Sequence, residues 1–184
     1  MGVDVRELCF DGSAHHYVFI SRVVSGKSDP RSLSFRICRF GLSNSALEPA
    51  IKRHGGDSVD ADFFVVTNDP LYYPVRKVVM EEIYNNSGLK NNKYKDDVFD
   101  CEYFAFVFKG EANRDAYSTA ASYGYAVGEF YGESSPTEGH TAIIYVNWNL
   151  EVYIYEPQNG TEVQPNKWYR EKNKPKIILK DAFF

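Results

Sequence analysis

The chain has 184 residues, 43% of them apolar or aromatic, which is enough for one compact domain with a buried core. Its formal net charge of −4 and pI near 5.6 exclude the general pull toward nucleic acid that clustered Lys and Arg provide. Three cysteines, Cys9, Cys38 and Cys101, lack any close pairing and so argue against a disulfide scaffold or a zinc knuckle.

Residues 1–10 carry Asp4, Arg6 and Glu7 where a signal peptide needs an unbroken apolar run, and no stretch is apolar enough to span a bilayer. A cytoplasmic protein as synthesised is therefore expected, with no membrane partner and with non-classical release left open. Residues 1–70 read as a β-rich part: 17–24, 34–40 and 61–67 are apolar or alternating, punctuated by Gly26, Asp29-Pro30 and Gly55-Gly56. The aromatic content, 16% with 14 Tyr and 13 Phe, also favours strands.

After a Pro-bounded loop at 68–74, apolar Val75, Val78, Val79 and Ile83 suit a short helix ended by Asn85, Asn86, Ser87 and Gly88. Residues 91–97 are polar and turn-like. Asp100 is a good N-cap, and Phe104, Ala105 and Phe108 follow Cys101 at helical spacing, so a helix starts at the cysteine. Residues 125–131 read as a strand. The runs 140–146 and 151–155, separated by Asn147-Trp148-Asn149-Leu150, form the clearest signal, a β-hairpin. Lys167, Arg170, Lys172, Lys174 and Lys176 read as a solvated basic stretch.

The helix start, the strand start and the hairpin end bring three chemical groups into one argument. A thiol attacks as thiolate, and the first turn of a helix stabilises that anion. Asp96, Asp97, Asp100 and Glu102 would oppose it, so an imidazolium close by is required. Of the four histidines, His140 at a strand start is the best base. An antiparallel hairpin returns its second strand beside the start of its first, which sets Glu156 next to His140 as the acceptor that fixes the ring. Gln158, two residues on, could orient the imidazole or donate to an oxyanion. Cys101 and His140 as transition-metal ligands have little support, since no second Cys or His lies at ligand spacing.

Asp100-Cys101-Glu102-Tyr103-Phe104-Ala105, then Gly139-His140-Thr141-Ala142, then Tyr155-Glu156-Pro157-Gln158-Asn159-Gly160 resemble the papain-like peptidase domain of the agglutinin-related family, typified by the fairy-ring mushroom agglutinin. The resemblance covers about residues 94–160. It implies an α+β fold, papain-like, with a nucleophile-bearing helix packed on an antiparallel sheet, in a single domain 1–184 whose catalytic segment is 94–160. It implies a cysteine hydrolase, a thiol protease acting on peptide or protein substrates, with Cys101 as nucleophile, His140 as base and Glu156 as orienting carboxylate. Gln158 and a main-chain N–H at Cys101 would serve the oxyanion, and Tyr94 falls where the family has an aromatic lining that hole. No cofactor is required for the chemistry, but the family's fungal member is calcium-activated, so calcium at Asp96, Asp97, Asp100 or Glu102 is a further expectation. That member also carries a sugar-binding β-trefoil with Gln-x-Trp repeats, which have no counterpart in this sequence.

The same triad order fits a transglutaminase-like acyltransferase or a cell-wall amidase. A non-enzymatic interaction module with an inactive site is the alternative of another class. A homodimer is left open.

Overall fold

The computed structural model describes residues 20–21, 38–39, 41–119, 121, 123–168 and 176–184. Strands β1 (Ile20–Ser21) and β2 (Cys38–Arg39) pair antiparallel, and the rest of the strand readings at 17–24 and 34–40 lies outside the described residues. Strand β3 (Leu42–Ser43) leads straight into helix α1 (Asn44–Gly55), whose Leu47 and Ile51, one turn apart, face the core. The helix stops at Gly56, whose φ of 51° a side chain would resist. Strand β4 (Val59–Val66) follows, then β5 (Leu71–Tyr72), which pairs with β3.

Helix α2 (Lys77–Ser87) buries Met80 and Ile83 and ends at left-handed Gly88. Helix α3 (Cys101–Ser118) begins where Asp100 accepts a hydrogen bond from the Glu102 N–H at 3.1 Å, and it buries Phe104, Ala105, Phe108, Ala112 and Ala116 along one stripe. Strands β6 (Val127–Ser135), β7 (Glu138–Val146), β8 (Val152–Glu156), β9 (Thr161–Val163) and β10 (Ile178–Phe183) complete the chain. The turn between β7 and β8 is held by Asn147, whose Oδ1 accepts from the N–H groups of Asn149 and Glu151 at 2.9 and 3.0 Å.

Six strands form one sheet in the order β4-β10-β6-β7-β8-β9. Helices α2 and α3 cover one face, where Phe104, Phe108, Ile143, Tyr145 and Tyr155 pack together. Helix α1 lies on the other, over Phe130, Ala142, Ile144, Ile154 and Leu179. Both faces of β7 are thus buried, which is why 140–146 reads as an unbroken apolar run.

This architecture corrects the expected fold class. The sheet is mixed, because β10 runs parallel to β4 and antiparallel to β6. Parallel pairing joins segments far apart in sequence, and no local pattern announces it. The expectation of a β-rich 1–70 also missed α1, because Gly55-Gly56 read as punctuation between strands.

Candidate functional site

The site forms where the paired part of the β7–β8 hairpin ends. Register pairs run from Val146↔Val152 to Ile143↔Tyr155. Continuing that register would set Glu156 opposite Ala142 and Gln158 opposite His140, so His140 and Glu156 are same-face diagonal neighbours. Their side chains meet: His140 Nε2 and Glu156 Oε2 lie 2.6 Å apart, the imidazole N–H donating. Glu156 is fixed in turn by the Gln158 N–H, which donates to Oε1 at 3.2 Å. With Nε2 engaged, Nδ1 is the ring nitrogen left for the thiol.

Cys101 reaches this mouth from the start of α3 and is partly buried, while His140 is only 8% exposed. Burial pushes the thiol up and the Asp100 charge adds to that. The hydrogen bond and charge of His140, with the Thr141 N–H, outweigh both and hold Cys101 below an ordinary thiol. Burial pulls the imidazole down, yet hydrogen bonds and charge from Cys101 and Glu156 raise it to about 9. The two shifts are mutual, each group favouring the charged form of the other.

A groove of about 620 Å³ opens over this pair, and the predicted Tyr94 and Gln158 line it together with Cys101, His140 and Glu156. Desolvation, and then the charges of Asp96, Cys101 and Asp100, raise the Tyr94 phenol. The predicted calcium ligands are not brought together. Asp96 lines the groove, Asp97 sits at φ 57°, Asp100 caps α3 and Glu102 faces a different groove. Among the described residues no group of three or more His, Cys, Asp or Glu is placed to hold a metal.

Sequence reasoning missed Trp168, whose ring lies 5.4 Å from the His140 ring, tilted 38°, and is backed edge-on by Phe130 at 5.1 Å. It also missed Asn159, Thr161 and Lys167 on the groove wall. The Gly160 turn could have signalled the first two, since its φ of 72° folds β9 back beside β8. Lys167, read as part of a solvated stretch, instead belongs to the site, while Arg170, Lys172 and Lys174 lie outside the described residues. Among the described residues no helix is long and apolar enough to cross a membrane.

Comparison with known structures finds the same fold in the PSL1a–E64 complex, at a TM-score of 0.67 and 20% identity, covering 82% of this chain and 54% of that one. It is also found in Polyporus squamosus lectin bound to the human-type influenza-binding epitope Neu5Aca2-6Galb1-4GlcNAc, at 0.65 and 20%, covering 90% and 61%. The chain thus spans little more than half the length of these structures. No match is found among curated proteins. The fold is that of these lectin structures, which overturns the papain-like α+β class, and none of the comparisons supports the expected hydrolase or thiol protease. Residues 72–162, which carry Cys101, His140 and Glu156, match the family model described as Agglutinin C-terminal.

Proposed function

We propose that the chain is a non-enzymatic binding module that takes a saccharide in the groove over His140 and Glu156. The observation that carries this reading is the composition of the groove wall. Asp96, Glu156, Gln158 and Asn159 offer planar carboxylates and amides to sugar hydroxyls, while the half-exposed Tyr94 offers ring surface to the C–H face of a pyranose. Lys167 supplies a cation for an acidic sugar. Polyporus squamosus lectin, 61% of which this fold matches, is bound to a sialylated trisaccharide, which makes that sugar the probe. Calorimetric titration with Neu5Aca2-6Galb1-4GlcNAc and with Galb1-4GlcNAc tests it. Saturable heat that is lost in Tyr94→Ala and Asn159→Ala is expected. Absence of heat from both sugars, or binding that survives both substitutions, would remove the groove as a saccharide site.

A second reading rests on the alignment of Cys101, His140 and Glu156. In it the Cys101 thiolate bonds to an electrophilic carbon of a bound ligand, His140 delivers its proton to the displaced atom, and Glu156 holds the imidazole. Gln158, Tyr94 and the Cys101 N–H face the oxygen that gains charge. Because PSL1a forms a complex with E64, that compound is a suitable probe. Peptide mapping after incubation should find E64 on Cys101 and none after His140→Ala. An unmodified Cys101 in the intact protein would end this reading and leave the first untouched.

A further inference from the structure

Helix α3 covers β6 and β7 on its side of the sheet and leaves β10 and β4 bare there. On this bare side β4 presents Phe64, 49% exposed, and Val66, and β10 presents Asp181 and Phe183. Phe183 is the register partner of Val66, and the Phe64 and Phe183 rings meet edge-on at 6.5 Å. From the helix, Tyr103 and Phe106 lean over the same space, Phe106 with 70% of its surface in solvent. Scattered exposed apolar residues are ordinary, but Tyr103, Phe106 and Phe183 share one groove and the Phe64 ring meets Phe183 beside it, which makes a contact surface.

Between the helix and these strands lies a groove of about 490 Å³, separated from the Cys101 site by Glu102 and Thr141. Its lining carries three carboxylates, Glu102, Glu129 and Asp181, and no cationic side chain. The nearby Lys109 is engaged with the Phe183 carbonyl at 2.7 Å and with the charge of Glu129. Asp181 Oδ1 is buried and has no hydrogen-bond partner among the described residues. Burial pushes the Asp181 carboxyl up against the opposing Tyr131 N–H. A buried carboxylate oxygen without a donor costs free energy, which an incoming ammonium or guanidinium would recover. The bulge at Lys180 sets this orientation: the register of β10 shifts between Leu179 and Asp181, and Lys180 turns away to Asp60 at 2.6 Å.

We infer that this groove docks a partner protein through an Arg or Lys side chain directed at Asp181, with apolar neighbours of that residue laid on Phe106, Phe183 and Phe64. Charge and shape agree: carboxylates line the groove beside aromatic faces, the pairing that holds organic cations. The surface lies apart from the saccharide groove and does not depend on it.

The test is a ¹⁵N NMR titration of the full chain with an acetylated and amidated pentapeptide carrying arginine between two leucines and terminal glycines. A second peptide replaces arginine by citrulline. The arginine peptide should shift amides around Asp181, Phe106 and Phe183 and bind about tenfold tighter than the citrulline peptide, the effect of one charge-assisted pair. Asp181→Asn should reduce that preference, and Phe106→Ser, at an exposed position that does not endanger the fold, should weaken both peptides. Equal affinity for the two peptides, or binding unchanged by Phe106→Ser, would overturn the inference. So would shifts at Asp181 produced by calcium chloride but by neither peptide, which would make the site one for a metal. Sedimentation showing self-association that the peptide cannot displace would assign the surface to a second copy of this chain and equally overturn it.

Discussion

At Cys101 two influences oppose each other, and the balance is open to measurement. Burial and the Asp100 charge disfavour the thiolate, while the His140 hydrogen bond and charge favour it and prevail. In wild type, alkylation of Cys101 by iodoacetamide should therefore set in below the ordinary thiol pKa of about 8.5. In His140→Ala the imidazole's hydrogen bond and charge are gone and burial and Asp100 are opposed only by the Thr141 N–H, so the onset should move to higher pH. Rates followed by mass spectrometry from acid to alkaline pH check this, and identical profiles for the two proteins would contradict the pairing. The imidazole behaves in the complementary sense. Raised to about 9, it holds its proton through neutrality and loses it only as the pH passes that value. The sequence made these partners legible because a hairpin has a fixed register, from which His140 and Glu156 could be set side by side. Trp168 was not legible, since it reaches His140 through a loop whose path no periodicity encodes.

Among the elements, the residue that caps α3 does two things, and a glycine of β6 marks a close approach. Asp100 caps α3 and also lowers the acidity of the thiol that the helix carries. Asp100→Ala should cost about 1 kcal/mol of stability in urea denaturation. In the same variant the Cys101 alkylation onset should fall, so that stability and thiol acidity move in opposite directions. Gly132 is opposite Leu179 on β10, and a Cβ there would lie 2.6 Å from Ile177 Cγ2 and 3.1 Å from the Ile178 carbonyl. Gly132→Ala should destabilise the protein by roughly 1–3 kcal/mol through overpacking, read as a lowered Tm. The helix from Cys101 and the hairpin were written locally, in a cap, a spacing and a turn. Helix α1 was not, because the Gly55-Gly56 pair read as punctuation between strands and tertiary packing of Leu47 and Ile51 is what maintains the helix before it.

For the whole molecule, the central sheet is the common wall of two cores. Ile144 on β7 has no exposed surface and faces α1, next to Ile154. Ile144→Ala should cost about 2–5 kcal/mol, measured by chemical denaturation, since neither helical layer can move in to fill the space. The parallel pairing of β4 with β10 was the least legible feature, because it depends on contact between 59–66 and 178–183 and on nothing within either stretch.

That pairing also sets an order of events. Strand β10 is inserted between β4 and β6, so the sheet is assembled from the middle outward only on the β7–β8 side. The hairpin, β6 and α3 can associate early through contacts close in sequence, but among the described strands β4 has none to join until 178–183 arrives. Until then β6 presents an open edge and Phe64 and Val66 have no neighbouring strand, a combination that invites pairing with other chains. A protein cut after residue 177 should therefore keep the hairpin and α3 signals in circular dichroism yet aggregate on refolding, whereas the full chain recovers. The last strand in sequence acts as the latch of the sheet, and the hazard of misassembly is concentrated in the interval before it closes.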